Sequence, residues 1–346
     1  MVLEPTRPPV MGDVARLAGV SHQTVSRVVN GHPHIRAETK ARVLRAIEQL
    51  GYRPNTAARA LVRGRSGIVG VVSASSPFFG PRSAEHAVRS AARAKGYAVA
   101  TVDLGEVTRE GLVDALEDLA RLGVEGVIVV AGHDDAVEAA RARPGDVPVV
   151  VVEGDLSRTP MTVGVDQFAG AVAAVRHLVA LGHRRIIHLA GPQDWAEARA
   201  RTEGWRAAMS EAGLPTTEPL VGDWTAASGY AAGRAIAADP TVSAVFASND
   251  QMALGVLRAL HEEGRRVPGT VSVVGFDDLP EAEYFVPSLT TVRQDFDAVG
   301  VRALDLLDAA IHGETPPPVP LVIPALVVRA STAPSPFPRT GRETAP

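Results

Sequence analysis

The chain of 346 residues contains no cysteine, so disulfide bonds and thiolate chemistry are excluded. Any zinc ion would have to be held by histidines and carboxylates alone. No run approaches the roughly 18 apolar residues that a membrane-spanning helix requires. The amino-terminal stretch MVLEPTRPPV also lacks the apolar core of an export signal. Together these absences predict a protein of the cytoplasm.

Sequence motifs of common enzyme classes are missing as well. The chain has no GxxxxGK phosphate loop, no GxGxxG fingerprint after a strand and no GxSxG nucleophile elbow. His261-Glu262-Glu263 opens like a zinc-protease motif, but Arg265 stands where the second histidine is required. His183 and His188 flank a predicted strand and are expected to be structural. We therefore predict no enzyme, no catalytic residue, no metal site and no cofactor.

Basic residues are concentrated at one end of an otherwise acidic chain. Residues 1–66 hold 11 Lys and Arg against 4 Asp and Glu, whereas the other 280 residues hold 24 against 35. The formal charges are thus +7 and −11, which add to the whole-chain value of −4. A basic head on an acidic body is expected when one end of a protein meets phosphates. The length also exceeds what one core accommodates, so we expect two or three domains.

A helix-turn-helix is predicted by the stretch VARLAGVSHQTVSRVVN, which begins at residue 14. Val14, Leu17 and Ala18 follow the spacing of one helical face. Gly19 then interrupts the pattern, and Ser21 supplies an N-cap oxygen for a second helix. That helix has valines on one side and, on the other, His22, Gln23, Ser26 and Arg27. A second helix of this kind lies in the DNA major groove. Two helices that only build a core are the alternative, but the basic charge favours DNA.

The remainder of this head contains one more predicted helix. It spans roughly 37–50 and is expected to turn four apolar side chains inward, namely Val43, Leu44, Ile47 and Leu50. Gly51 occupies its C-cap position. Residues 1–10 contain three prolines and are predicted to be a disordered lead-in, so the head is placed at 11–54.

From residue 67 the pattern changes to alternating strands and helices. The β-branched runs GIVGVV, AVATVD, GVIVV and VPVVVV are typical of buried parallel strands, and RIIHLA, SAVFAS and VSVVGF form a second series. Two such series predict an α/β body at 67–330 with two doubly wound lobes and a cleft between them. We assign about 67–164 and 295–320 to lobe 1, and about 165–292 and 321–330 to lobe 2. The Pro-rich segment 331–346 is predicted to be a disordered tail.

Polar and aromatic residues follow several strands of the second series. Trp224 lies in GDWTAASG, Asn249 follows SAVFAS, and Asp277 follows VSVVGF. Ligands of doubly wound sheets bind at the carboxyl ends of strands, where these residues fall. Amide and carboxylate groups pair with vicinal hydroxyls, and an indole face suits the C–H side of a sugar ring. A polyol site is one interpretation; a core tryptophan, with Asp250 or Asp278 as a helix cap, is the other.

The head resembles the lactose-repressor (LacI/GalR) family in DVARLAGVSHQTVSRVVN and GYRPNTAARAL. The resemblance implies that His22 and Gln23 read bases, and that 55–66 is a hinge helix and linker that orders on DNA. Gln suits adenine and Arg27 suits guanine. Leu61 is expected in the minor groove; a linker leucine that packs on the body is the alternative. The other DNA contacts expected from the resemblance are Ser21, Ser26, Asn30, His34 and Thr39 at phosphates, together with Asn55 and Ala58.

The body also resembles this family, in LVALGHRRIIHLAGP, RARTEGW, GDWTAASG, ASNDQMALG, VSVVGFDD and PSLTTVRQDF. The resemblance runs from about residue 11 to 330 and implies a periplasmic-binding-protein-like body that binds a sugar. It assigns hydroxyl contacts to Arg201, Asn249 and Asp277, and apolar walls to Trp224 and Phe296. Glu153 aligns with a shorter sugar-binding aspartate. The loop 73–81 departs from the family pattern, with Ala74 in place of a hydroxyl and an added Phe78-Phe79.

These features predict a homodimeric, sequence-specific transcriptional repressor of carbohydrate-utilisation genes. Its partners would be a pseudopalindromic operator in double-stranded DNA and a sugar effector, a galactoside or related glycoside, that releases it. A leucine-heptad helix for a tetramer is missing from the carboxyl-terminal stretch. Two other classes stay open at this point. A solute-binding protein shares two lobes but has no use for residues 11–61, and a sugar-processing enzyme needs a paired acid and base.

Overall fold

A computed structural model of the chain describes residues 9–30, 32, 34–53, 65–74, 77–105, 108–131, 147–153, 161–314 and 320–337. By contacts between residues, the chain divides into two units, 1–66 and 67–346. The first unit is called the head and the second the body. No helix of the described ranges is both long and apolar enough to cross a bilayer.

The described part of the head contains three helices, as predicted: Met11–Ala18 (α1), His22–Val29 (α2) and Ala37–Leu50 (α3). The Ser21 hydroxyl accepts a hydrogen bond from the Thr24 amide at 3.1 Å and so caps α2. Gly19 and Gly51 end α1 and α3 in the left-handed conformation, at φ 62° and 61°. Glycine adopts this conformation without a Cβ penalty, which explains why the chain turns sharply at both points.

The small core of the head is narrower than the sequence suggested. Val14, Val25 and Val43 are fully buried and pack with their apolar neighbours. Leu44 was predicted to face inward but is 49% exposed, so this prediction was wrong. Leu17, which shares the apolar spacing of α1, is 46% exposed. A bundle of two short helices and one longer helix covers only one stripe of each helix, and residues at the edge of that stripe stay in contact with solvent.

Two predicted segments of the head lie largely outside the described residues. Pro9 and Val10 of the predicted lead-in are described, and the Val10 amide donates to the Asp13 carboxylate at 3.0 Å. Val10 therefore belongs to the start of α1 rather than to a disordered segment. Residues 1–8 and 54–64 lie outside the described ranges, and the second of these contains most of the predicted hinge.

Lobe 1 of the body is built on a parallel sheet of five strands. They are Ile68–Ala74 (β1), Ala98–Leu104 (β2), Gly126–Val130 (β3), Val149–Val152 (β4) and Thr162–Val163 (β5). Their order is β2-β1-β3-β4-β5. Among the residues that the structure describes between these strands, helices span Phe79–Ala94 (α4) and Arg109–Arg121 (α5). β3 and β4 are buried along their whole length, as valine-rich strands covered on both faces must be.

Lobe 2 repeats the pattern with a parallel sheet of four strands. They are Ile186–Ala190 (β6), Leu220–Val221 (β7), Ala244–Ala247 (β8) and Ser272–Val274 (β9), in the order β7-β6-β8-β9. Its helices are Gln167–Ala180 (α6), Ala196–Glu211 (α7), Ala226–Ala237 (α8) and Asp250–Glu262 (α9). α8 and α9 cross closely at glycines: a Cβ on Gly229 would overlap the Met252 backbone. A short 3-10 helix, Pro280–Tyr284, follows β9.

After lobe 2 the chain crosses back to lobe 1, as the sequence predicted. The last long helix is Phe296–Ile311 (α10), and it packs closely on α4. This close approach requires a glycine at residue 300, because a Cβ there would overlap the Ala87 backbone. Tyr97 donates to Asp308 of α10 at 2.6 Å. Two short strands, Thr291–Arg293 (β10) and Ala325–Val327 (β11), pair antiparallel beside these crossings. The predicted fold, a helical head and a two-lobed doubly wound body, is confirmed.

The predicted disordered tail is ordered in its first part, which corrects the prediction for residues 331–337. Ser331 is fully buried: its hydroxyl donates to the Val273 carbonyl at 2.6 Å and accepts from the Thr290 amide at 2.8 Å. Hydroxyl and backbone groups thus attach this Pro-rich segment to lobe 2, although its composition resembles that of a free tail. Residues 338–346 lie outside the described ranges.

Candidate functional site

The first candidate site is the outer face of α2. His22, Gln23 and Arg27 are exposed, as a surface that reads DNA bases requires. Ser26 is half-buried, and its hydroxyl accepts a hydrogen bond from the Asn30 side chain at 3.3 Å. The opposite face of α2 is held against the head core by Val25 and Val28. The burial pattern therefore divides the helix into a packed side and a free polar side.

The other predicted DNA contacts are spread around this helix. Ser21 is exposed but already serves as the cap of α2, and His34 is exposed in the loop before α3. Thr39 is half-buried in the first turn of α3. Three further predicted contacts, in the hinge, lie outside the described residues: Asn55, Ala58 and Leu61. Their assignment stays a prediction.

The second candidate site is a cavity between the lobes, at the carboxyl ends of both sheets. All six residues predicted to hold an effector line it: Glu153, Arg201, Trp224, Asn249, Asp277 and Phe296. Four of them follow strands β4, β7, β8 and β9, where doubly wound folds place ligands. The other two come from helices α7 and α10. Lobe 1, lobe 2 and the crossing segment thus each contribute to the cavity wall.

Three of these lining residues have strained backbones. The φ angles of Glu153, Trp224 and Asp277 are 66°, 71° and 107°, a region that side chains other than glycine rarely adopt. Each such residue costs about 1–3 kcal/mol, and residues of this kind cluster at functional sites.

A chain of polar side chains connects the lobes across the cavity floor. The Gln167 amide donates to Glu153 at 3.3 Å and to the Gln294 carbonyl oxygen at 2.9 Å. Gln294 in turn donates to Asp277 at 2.6 Å. Because Glu153 belongs to lobe 1 and Asp277 to lobe 2, a ligand that alters this chain also alters the contact between the lobes.

Arg201 is the only basic side chain among the described residues that line the cavity. Its Nε donates to Gln167 at 2.9 Å, its Nη1 to the Ser248 carbonyl, and its Nη2 lies 3.6 Å from the Asp277 carboxylate. The guanidinium also stacks on Phe276, with Cζ 3.9 Å from the ring centroid. A guanidinium has five N–H groups, so two are left for the hydroxyl oxygens of a ligand.

Asn249 is occupied by the protein itself. Its amide group donates to the Trp224 carbonyl at 3.0 Å, and its side-chain oxygen accepts from the Met252 amide at 2.9 Å, so Asn249 caps α9. The helix cap was predicted as an alternative role for Asp250 or Asp278, and here Asn249 is the capping residue. Asp250 lies inside the helix, where its carboxylate accepts from Leu279 and Thr291. Asn249 orients Trp224, and any contact with a ligand comes in addition to that role.

Aromatic rings form one wall of the cavity and join the lobes. Phe78 of lobe 1 meets Trp195 of lobe 2 edge to face, with ring centroids 6.1 Å apart. Trp195 meets Trp224 in the same way at 5.8 Å. Such edge-to-face pairs are favoured by the quadrupoles of the rings. Apolar faces beside hydrogen-bonding groups are the combination that a sugar ring requires.

Gly191 is required for the position of this wall. A Cβ at residue 191 would overlap the benzene part of the Trp224 ring. We expect Gly191→Ala to displace Trp224, to change the near-UV circular dichroism of the Trp195–Trp224 pair and to lower the free energy of unfolding by about 1–3 kcal/mol. Gly269→Ala is the control, because its Cβ would meet Arg266 at an ordinary 3.5 Å. An unchanged spectrum in the first variant would contradict this assignment.

Four polar or aromatic lining residues were not singled out from the sequence: Gln167, Trp195, Glu197 and Gln294. Trp195 and Glu197 follow β6, so the rule that ligands bind at strand carboxyl ends pointed to them. Gln294 follows β10 within the motif PSLTTVRQDF. Gln167 is the first residue of α6, and nothing in the sequence marks it as a site residue. Its role depends on hydrogen bonds with Glu153, Arg201 and Gln294, which lie 14, 34 and 127 positions away in the chain.

Two carboxyl groups of the cavity have raised pKa values. Burial, and then the charge of Glu197, raise the pKa of Glu153 to about 8, although Arg201 opposes the shift. Burial also raises the pKa of Asp277 to about 6, with Arg201 again opposing. Buried carboxyl groups with perturbed pKa values in a cleft are a mark of binding sites.

Glu153 makes the stability of the folded protein depend on pH. The folded protein retains a proton that the unfolded chain releases between pH 4.5 and about 8, so stability falls as the pH rises through this range. Glu153→Gln removes this titration. We therefore expect the free energy of unfolding of the variant, relative to that of the unmodified protein, to increase by up to about 1.4 kcal/mol per pH unit from pH 5 to 8. Denaturant titrations at both values check this. The exposed Glu218→Gln is the control; equal pH slopes in all three proteins would contradict the assignment.

The strand histidines have structural roles, as predicted. His188 is fully buried, stacks on Phe246 at 4.9 Å and lies within hydrogen-bond distance of Thr202, and burial lowers its pKa to about 3. His183 is buried between Ser243 and Ser272. Both rings fill the core of lobe 2, and neither lines the cavity.

Comparison with known proteins finds a family match for both the head and the body. Residues 10–55 match the model described as bacterial regulatory proteins, lacI family, and residues 175–332 match a periplasmic binding protein-like domain. The lactose operon repressor of Escherichia coli strain K12 is 35% identical over 94% of this chain and 91% of that protein. The HTH-type transcriptional regulator CelR of Thermobifida fusca is 38% identical over 95% of this chain and 100% of that protein.

A solved structure has the same fold over nearly the whole chain. It is the lac repressor dimer bound to operator and the anti-inducer ONPF, with a TM-score of 0.84, 34% identity, and coverage of 94% of this chain and 100% of that one. The match includes both the helical head and the two-lobed body. The chain therefore belongs to the LacI family of bacterial regulatory proteins and is a DNA-binding transcriptional repressor, not an enzyme.

Proposed function

We propose that this repressor controls carbohydrate-utilisation genes in the cytoplasm and is released from its operator by a sugar bound between the lobes. A galactoside or related glycoside is the proposed class of effector. The proposal rests mainly on one observation: a single cavity combines aromatic walls with a polar chain from Glu153 to Asp277 that joins the two lobes. A sugar can use both features, since its ring has apolar C–H faces and hydroxyl edges.

We assign the following roles to the lining residues, as the family resemblance implies, and the geometry of the cavity supports them. Arg201 would donate its two remaining N–H groups to hydroxyl oxygens, and Asp277 would accept from hydroxyls. Trp224 and Phe296 would pack against the ring faces. Glu153, whose loop leads from β4, would contact the sugar from lobe 1. The name of one relative, a lactose operon repressor, supports a sugar.

On the DNA side we propose a homodimer on a pseudopalindromic operator. Two heads would bind two half-sites, because the two-fold symmetry of a protein is mirrored in the DNA that it reads. The lac repressor structure, a dimer bound to operator, supports this arrangement. Gln23 and Arg27 would read adenine and guanine edges in the major groove. Leu61 of each hinge would enter the minor groove at the operator centre, where unstacking costs a few kcal/mol.

Release requires the sugar to prefer one arrangement of the lobes. The sugar shifts the equilibrium only by its difference in affinity between the operator-binding state and the released state. Each tenfold loss of operator affinity corresponds to about 1.4 kcal/mol of such a difference. The polar chain between Glu153 and Asp277 is the contact through which we propose that this preference arises.

A mobility-shift titration tests the proposal. The purified protein is titrated onto DNA from upstream of its own gene, with unrelated DNA of equal length as control. The titration is repeated with a panel of monosaccharides and disaccharides that includes galactosides. We expect specific binding that one sugar class weakens at least tenfold. Absence of any preference for the upstream DNA, or binding that no sugar affects, would contradict the proposed function.

A further inference from the structure

Two successive aspartates follow β9 and have different surroundings. Asp277 lines the cavity, whereas Asp278 is not among the described lining residues and has a side chain that is 6% exposed. Both have positive φ angles, 107° and 55°, which side chains other than glycine rarely adopt. Backbone strain of this kind persists where the surrounding structure imposes it, and it often marks a functional position. The cavity alone does not account for the strain at Asp278, because Asp278 does not line it.

A second pair of successive residues, on the chain that crosses to lobe 1, is bonded to these two aspartates. Asp277 forms a parallel bridge with Arg293, and its amide donates to the Val292 carbonyl at 2.8 Å. Inside the cavity, Gln294 donates to the Asp277 carboxylate at 2.6 Å. Next to this bond, Arg293 Nε donates to the Asp278 carboxylate at 2.5 Å. Asp277-Asp278 of lobe 2 is thus joined to Arg293-Gln294 by one bond in the cavity and one ion pair beside it.

Asp278 also holds the chain that returns from lobe 1. Arg329 lies just after β11, and its Nη2 is 2.7 Å from Oδ1 of Asp278. The two groups are not aligned for a hydrogen bond, so this contact is electrostatic. The Arg329 side chain is only 14% exposed, and salt screens such a pair less than a surface pair. Because β10 and β11 pair antiparallel, one carboxylate of lobe 2 holds both strands that connect it with lobe 1.

A sugar that contacts Asp277 also affects Gln294. Oδ1 of Asp277 accepts from Gln294 and faces Arg201, and a carboxylate oxygen has about two acceptor sites. A sugar hydroxyl directed at this oxygen therefore competes with the Gln294 amide. Only Asp295 separates Gln294 from the first residue of α10, and Asp295 caps that helix by accepting from the Ala298 amide at 2.9 Å. A displacement of Gln294 thus reaches a helix of lobe 1 through a single residue.

We propose that Asp278 is a positioning residue that couples the sugar cavity to movement of the lobes, by holding Arg293 and Arg329 while the sugar acts on Asp277 and Gln294. This inference rests on the proposed function and adds a residue through which the effector acts. Asp278 contacts neither the sugar nor the operator. With the ion pairs intact, the crossing chain stays fixed to lobe 2, and a displacement of Gln294 turns lobe 1. Without them, β10 shifts locally and absorbs the displacement.

The opposing account is an ion-pair cluster that only stabilises the fold. In that account, loss of Asp278 lowers the free energy of unfolding and leaves the mutual effect of sugar and operator unchanged. The two accounts differ in the coupling factor, which is the ratio of the sugar dissociation constants measured with and without saturating operator. A change in stability alone does not alter this factor, because both constants are measured on folded protein.

Asp278→Asn tests the proposal, since it removes the charge and keeps the shape of the side chain. The full-length protein is titrated calorimetrically with galactose, lactose and cellobiose, with and without the duplex from upstream of its own gene. We expect sugar affinity without DNA, and operator affinity without sugar, to change less than about threefold. The coupling factor is expected to fall from about ten or more to below about three. A folded variant with an unchanged factor would overturn the inference.

Arg293 provides a second variant, which is expected to fold because its side chain is 58% exposed. We expect Arg293→Gln to lower the coupling factor at least about threefold, and Arg293→Lys, which keeps the charge, to retain it. The matched control is Glu211→Gln, which breaks an exposed ion pair of 2.7 Å with Arg176 inside lobe 2. Full coupling in Arg293→Gln, or an equal loss of coupling in the control, would overturn the assignment.

The unmodified protein separates this inference from the function on which it rests. If no sugar binds, or if the operator does not change the affinity for any sugar, the sugar-released repressor is contradicted and the role of Asp278 is overturned with it. If the unmodified protein shows strong coupling and the Asp278 and Arg293 variants match it, only the role of Asp278 is overturned. Coupling that is lost in Asp278→Asn and Arg293→Gln but kept in Arg293→Lys and the control supports the inference.

Discussion

Arg27→Ala is expected to remove discrimination at one guanine of each half-site while weak, salt-sensitive DNA binding remains. Arg27 is exposed on the free side of α2, and a bidentate arginine–guanine contact contributes about 1–3 kcal/mol of discrimination. The expected loss is thus roughly 5- to 150-fold at that base pair. Competition binding with operators substituted at single positions measures it. The remaining affinity depends on phosphates and decreases as salt is raised.

The matched control for this prediction is Arg45→Ala, which removes an exposed arginine of the same head from α3. Both variants lose one positive charge, so both bind DNA more weakly in a sequence-independent way. Only the Arg27 variant should lose preference for one base pair. If it retains the full preference of the unmodified protein, α2 does not read the major groove in the proposed orientation.

Arg201→Ala is expected to give a protein that stays on its operator at sugar concentrations that release the unmodified protein. Hydrogen bonds to charged groups contribute about 1.5–3 kcal/mol each, so the loss of two contacts lowers sugar affinity by roughly a hundredfold or more. Arg201→Ala also leaves Asp277 and the Ser248 carbonyl without their partner, which costs stability. Arg201→Lys keeps the charge but loses the planar fork, and it is the second variant.

The control for both variants is Arg206→Ala, an exposed arginine on the same helix, α7. Operator affinity without sugar shows whether each variant folds, and the sugar concentration for half release shows the effect. We expect the Arg206 variant to respond like the unmodified protein. Normal release of the Arg201→Lys variant would remove Arg201 from the binding site and would weaken the case for the cleft.

Much of the fold could be predicted because local signals agreed with the global structure. The three helices of the head match the prediction, because capping residues such as Ser21 and Gly19 can be recognised in the sequence. The exposure of Leu17 and Leu44 could not be predicted from helical spacing alone. It depends on how wide a stripe the neighbouring helices cover, which is a property of packing between residues distant in sequence.

The residues of the candidate cavity likewise include some that the sequence could predict and some that depend on contacts between distant parts of the chain. Residues that directly follow a strand, such as Trp224 and Asp277, could be predicted from the position of the strands, and both line the cavity. Gln167 could not, because its role comes from three hydrogen bonds to partners in different parts of the chain. The order of Ser331 was also missed, since Pro-rich composition describes a segment without the lobe surface that binds it.

We expect the sugar in the cleft and the operator at the head to weaken each other's binding through one conformational equilibrium. Linkage requires that the operator weaken sugar binding by the same factor as the sugar weakens operator binding. The decisive measurement is therefore the dissociation constant of the effector with and without a saturating operator duplex. We expect the constant to rise at least tenfold with the operator and to be unaffected by scrambled DNA. An effector affinity that is identical in all three conditions would contradict the claim.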